Sequence, residues 1–189
     1  MTRLSRTERS RALILTAAED MFQRKGFAAT TLEEIAEGAG LTRKTAYNLF
    51  SSKEDIALTL IARVEADDGR YRDRMASDED AKTLLCAIFN DSAAWCRANP
   101  TLAELALRPA RRPGLAPPPD RPSFQGLVRD VVALGQDQGI FRRDEAPEFM
   151  ALILLAVFGQ AMLNALAGAQ LTEDGIADIV RIVTEGIGA

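Results

Sequence analysis

Residues 42–50, TRKTAYNLF, concentrate the groups in this chain best suited to binding an anionic polymer. Thr42, Arg43, Lys44, Thr45, Tyr47 and Asn48 bring hydroxyls, cations and an amide to one short stretch, while Ala46, Leu49 and Phe50 can pack inward. Such groups suit a nucleic-acid duplex. Arg and Lys pair with guanine O6/N7 or with phosphates, Asn with adenine, and Thr and Tyr with phosphate oxygens. The alternative is an ordinary solvated helix face that happens to be basic. Other chemistry is poorly supplied. The chain has no histidine, which removes the commonest general base, His-based triads and His-ligated zinc. No catalytic constellation, metal site or cofactor is expected, and an enzyme working through Glu, Asp, Cys or Tyr is a remote alternative. Cys86 and Cys96 stand ten positions apart in one apolar helical pattern, so they read as reduced core residues.

The candidate residues need a scaffold, and the preceding segment supplies one. Thr30 and Thr31 precede Glu33 and Glu34 at capping-box spacing, which predicts a helix from about Leu32. Leu32, Ile35, Ala36 and Ala39 share its apolar face, and Gly38 and Gly40 permit an immediate turn. Thr42 then caps a second helix over residues 43–50. Before this pair, Ile14, Leu15, Ala18 and Phe22 form a stripe on a helix from about Thr7 to Lys25, stopped by Gly26. Residues 1 to about 6, with Arg3 and Arg6, read as a mobile arm. The net charge is −4 over 189 residues, but residues 1–53 carry +3 and residues 54–189 carry −7. The anion-binding surface is therefore expected at the N-terminal end of an acidic protein.

These motifs together resemble the N-terminal domain of the TetR (tetracycline-repressor-like) family of transcriptional regulators. The resemblance covers roughly residues 8–65 and rests on the A-A-x-x-x-F helix, K-G-F, A-T-T, I-A-x-x-A-G, the T-x-Y segment and S-K-E. It implies a helix-turn-helix whose second helix enters the major groove. DNA contacts are then expected from Thr31, Thr42, Arg43, Lys44, Thr45, Tyr47 and Lys53, with Asn48 reading DNA in its own way. Many relatives have an aromatic residue and then His after the matching Tyr. Here Asn48 and Leu49 stand instead, so no phosphate contact is expected at position 49.

The remainder reads as a helical body. Few aromatic residues, many aliphatic ones and no alternating strand pattern argue for an all-α fold of about nine helices. The expected domains are residues 1–52, with the helix-turn-helix, and residues 53–189, for effector binding and dimerisation. A helix from about Ser52 bears Ala57, Leu60, Ile61 and Val64, and by resemblance couples the two parts. Tyr71, Met75, Phe89, Trp95, Phe124, Phe158, Gln160 and Met162 are candidates for an effector pocket, with core packing as the default. Residues 108–122 hold six of the eight prolines and read as a loop. Asp144 can cap a helix with Pro147 in its first turn, followed by residues 149–169 without a charge. That run could span a membrane. Gly159, Gln160, Asn164 and Gly168 interrupt it, so burial on both sides is the simpler reading. Thr172 caps a last helix. Ala161, Ala165, Gly168, Ile176, Ile179, Val180, Val183 and Ile187 are the candidate dimer interface, as a four-helix arrangement of two subunits. The whole reads as a homodimeric repressor released from a palindromic operator by a small apolar or amphipathic effector. A regulator controlled by a protein partner or by its own concentration is the alternative. No membrane is expected, and with no signal-peptide core in MTRLSRTERSR the location expected is the cytoplasm.

Overall fold

The computed structural model describes residues 5–107 and 122–186. Arg3, the arginines of the proline-rich segment and Ile187 lie outside them. The described residues form ten α-helices and no strand. The chain divides between Val64 and Glu65 into two compact units.

In the first unit α1 spans Arg6–Lys25. Its N-terminus is closed by a capping box in which Ser5 Oγ accepts from the Glu8 N–H and Glu8 accepts from the Ser5 N–H, so the helix begins before Thr7. Thr31 and Glu34 repeat the device at α2, Leu32–Gly38. Gly40, at φ +67°, makes the left-handed turn that an L side chain rarely adopts. Thr42 caps α3, Arg43–Leu49. The helix α4, Lys53–Ala66, buries Ile56, Ala57, Leu60 and Ile61, and the compact unit takes it in as far as Val64 rather than ending at residue 52. Ile14, Ile35, Ala46 and Phe50 are the centre of this small core.

In the second unit the charged run after α4 forms a separate helix α5, Gly69–Ala76, bounded by Gly69 and Ser77. Then come α6, Ala81–Ala98; α7, Pro100–Ala106; α8, Phe124–Asp137; α9, Pro147–Leu166; and α10, Glu173–Glu185. Helices α6, α8, α9 and α10 pack on one another around Leu84, Ile88, Phe89, Val131, Leu154, Phe158 and Met162. Arg72 on α5 donates to Asp68 (2.8 Å) and to Asp130 on α8 (2.5 Å), joining those elements through charge. The end of α8 folds back so closely that the Phe141 ring lies 2.1 Å from where a Cβ on Gly135 would stand. Thr172 caps α10 as expected. Asp144 does not cap α9: Ala146 holds the N-cap position, Pro147 is the first helical residue, and the Asp144 carboxylate pairs with Arg142.

Two expected groupings change. The stripe Ile176 and Val180 is buried in its own subunit's core, at 1% and 0% exposure, so neither can face a partner. Ile179, Val183 and Ala165 pack against the same core, Ala161 is half-buried and Gly168 is exposed after the end of α9. An apolar stripe has to cover the core of its own chain first, and α10 has one such stripe. What remains outside is Phe149 (42% exposed) and Val157 (42%) on α9 and Ile182 (39%) on α10. The helix α9 is long and apolar enough to cross a membrane, and little over a quarter of its most apolar window is buried.

The second change concerns the pocket candidates. Tyr71, Phe89, Phe158 and Met162 are core residues, and Met75, Trp95 and Phe124 pack against them. Phe89 packs tilted against Phe158 with ring centroids 4.7 Å apart and meets Phe124 edge-on at 6.0 Å. Burial, with Asp91 accepting its proton at 2.6 Å, pushes the Tyr71 hydroxyl up to about 12. Gln160 does not join this group. Two residues along an α-helix turn about 200°, so it leaves the Phe158 face, is exposed and donates to Asn164.

Candidate nucleic-acid interface

The helix α3 has seven residues, too few to hold together alone. It is fixed at both ends. Thr42 Oγ1 accepts from the Thr45 N–H at 3.2 Å at the start. At the other end Arg11 of α1 donates to the Leu49 carbonyl (2.8 Å) while its guanidinium lies 4.2 Å over the Phe50 ring. Ala46 and Phe50 turn into the core. Arg43, Lys44, Tyr47 and Asn48 are left exposed, within an arc of about 140° at 100° per residue.

The eight candidate residues divide by what their polar groups already do. Arg43 and Lys44 form no ion pair among the described residues, and their charges face solvent. Thr42 and Thr45 share one hydrogen bond of 2.9 Å between their hydroxyls, which uses one of two protons and leaves the other to donate outward. Asn48 is exposed. Thr31 is differently occupied: its hydroxyl donates to Glu34 and accepts from the Glu34 N–H, so it holds the start of α2 together. Tyr47, 51% exposed, donates its proton to Glu33 Oε1 at 2.8 Å. Lys53 is the clearest departure. Its ammonium donates to the carbonyls of Phe27 (2.8 Å), Ala28 (3.2 Å) and Thr30 (2.9 Å) and sits 4.6 Å over the Phe27 ring. All three of its protons hold the α1–α2 connection, so any phosphate contact would have to share them.

Charge around the helix pair follows the same order. The Lys25 ammonium, 2.6 Å away, and the N–H and hydroxyl of Thr31 hold the Glu34 carboxyl down at about 2. The Tyr47 hydroxyl lowers Glu33, and Glu33 in return raises Tyr47. Arg11 and Glu33 are the two residues here that sequence reading did not assign. No periodic pattern links either to its partner, 38 and 14 residues away.

Comparison with known proteins gives this geometry a relationship. The family description "Bacterial regulatory proteins, tetR family" matches residues 14–60. The transcriptional regulator TtgR of Pseudomonas putida is 36% identical over 90 residues, 44% of this chain and 43% of TtgR. The chain thus spans about two fifths of the length of the first curated relatives it matches. The transcriptional repressor KstR2 of Mycobacterium tuberculosis is 30% identical over 140 residues, 71% of this chain and 70% of KstR2. The crystal structure of Thermus thermophilus FadR, a TetR-family repressor in complex with lauroyl-CoA, superposes with a TM-score of 0.76 at 22% identity, covering 95% of each chain. A helix-turn-helix at residues 32–49, a wholly helical body and a relative matched over two thirds of its length converge: the chain belongs to the TetR family of bacterial regulatory proteins.

Proposed function

We propose that this protein is a homodimeric transcriptional repressor that reads a palindromic operator with α3 and releases it on binding a small apolar or amphipathic effector. The observation that carries the reading is the exposed Arg43 and Lys44, in no ion pair among the described residues, beside Asn48 on a helix anchored at both ends. A rigid element carrying free cations and an amide can enter a major groove with little ordering cost. One such helix makes few base contacts. Two of them fixed by symmetry at about 34 Å meet successive major grooves, which explains the need for a dimer. The uncovered Phe149, Val157 and Ile182 support an interface on α9 and α10, displaced from the stripe expected from sequence.

The effector reading rests on the aromatic group of α6, α8 and α9, of which Trp95 and Phe124 are only partly buried, with the partly buried Met75 of α5 packed against the same core, and on the lauroyl-CoA held by the Thermus FadR. An effector weakens DNA binding only if it favours a state whose two heads cannot span successive grooves. A cytoplasmic location follows from this role. The test is selection of bound sequences from random duplexes, followed by affinity measurements on Arg43→Ala and Lys44→Ala. Each should weaken operator binding by about 1–3 kcal/mol with circular dichroism unchanged, and binding should fall steeply with salt. Unchanged affinity in both variants would sink the groove assignment.

A further inference from the structure

The bond from Tyr47 to Glu33 bridges α3 and α2 on their exposed side. It places a carboxylate among groups that would face a polyanion, with the Arg43 charge acting on both partners. A phenol has one proton. While Glu33 accepts it, Tyr47 offers an approaching phosphate only lone pairs, which repel it. For Tyr47 to donate to a phosphate oxygen the proton must leave Glu33. The carboxylate then loses its strongest donor and keeps only its own backbone N–H and the Arg43 charge in a surface being stripped of water, which is costly for a charged acceptor. A duplex relieves the remainder of that cost by presenting a donor. In the major groove the donors are the exocyclic amino groups of cytosine and adenine.

We propose that Glu33 is a specificity-determining residue of the reading surface: it holds the Tyr47 hydroxyl in the free protein and, when Tyr47 turns to a phosphate, accepts from a cytosine or adenine amino group. The inference rests on the DNA-binding reading above. A duplex with no amino group at that place leaves the carboxylate without that donor and is rejected, so the residue works chiefly by excluding wrong sequences. A purely structural role makes a different forecast. The amide oxygen of Glu33→Gln can still accept from Tyr47, so a brace would be preserved and every duplex bound as before.

The experiment uses the full chain. Duplexes are selected from a random pool by the wild type and by E33Q, and affinities for the wild-type selected duplex and a scrambled one are measured by fluorescence anisotropy. E33Q should bind the scrambled duplex about fivefold more tightly with little gain on the selected one, and its selected sequences should relax one cytosine-or-adenine position per half-site to any base, since a neutral amide both accepts and donates. Y47F keeps the carboxylate, so it should weaken both duplexes and retain the wild-type ratio. Equal gains on both duplexes in E33Q, or a ratio that collapses in Y47F and not in E33Q, overturn the assignment of Glu33 while leaving the DNA-binding reading in place. A wild-type chain that enriches no sequence overturns both.

Discussion

At the scale of single residues, the helix pair shows that a basic or hydroxylic side chain can serve the fold or the ligand, and that its hydrogen bonds decide which. Lys53 and Arg43 carry the same charge, yet Lys53 spends its three protons on backbone carbonyls and Arg43 spends none on an ion pair among the described residues. Lys53→Met should therefore lower the stability of the first unit by about 1–3 kcal/mol, because three carbonyls lose a charged donor. Urea denaturation measures this, and Arg43→Ala in the same assay should be near neutral. Glu34 gives a pH-dependent counterpart. Its carboxyl is held at about 2, below its ordinary 4.5. A depressed pKa contributes stability that is complete above 4.5 and is lost as pH falls toward 2. An acid titration of helicity should therefore show less loss between those values in Glu34→Gln than in the wild type. The capping roles of Thr31, Thr42 and Thr172 were legible in sequence because their partners lie three residues away. Those of Lys53 and Tyr47 were not, since their partners are distant in the chain.

At the scale of elements, short helices depend on neighbours for their ends. Seven-residue α3 is closed at its last carbonyl by Arg11 from α1. Arg11→Ala removes that bond and the contact over Phe50, and should cost about 1–2 kcal/mol in the first unit. Arg11→Lys should not restore it, since a compact ammonium cannot reproduce a planar guanidinium that donates and stacks at once. Thermal denaturation of the two variants tests the point. In the body, Gly135 is required by the Phe141 ring rather than by its own dihedral angles. Gly135→Ala should destabilise by about 1–3 kcal/mol through overpacking. The existence of these helices could be read from periodicity. Which glycine was there for a close approach could not.

At the scale of the molecule, the proposed dimer would assemble through the outward face of α9 and α10. Val180 is fully buried, whereas Val157 and Ile182 are exposed in the subunit. Val180→Glu would bury an unpaired carboxylate and should abolish cooperative folding. The double variant Val157→Glu with Ile182→Glu should keep native helicity and halve the mass seen by light scattering. A persisting dimer in the double variant would refute this interface. The proposed interface would account for an α9 that is apolar enough to cross a membrane and has little over a quarter of its most apolar window buried.

By itself the sequence determined the elements and the relationship: helix starts set by local capping, an uncharged run over residues 149–169, a basic N-terminal third, and motifs whose resemblance to one family is matched over residues 14–60. These are properties of neighbouring residues, carried by 3.6-residue periodicity and three-residue spacings. Tertiary structure decided which side of each apolar helix faces inward, burying Ile176 and Val180 and leaving Phe149, Val157 and Ile182 exposed. It also decided which polar groups are already satisfied, so that Lys53 braces a loop, Arg11 closes the reading helix and Glu33 holds Tyr47. A hydrogen bond between residues 14 to 38 positions apart leaves no trace in local pattern, because only the packing of one helix on another brings its two atoms together.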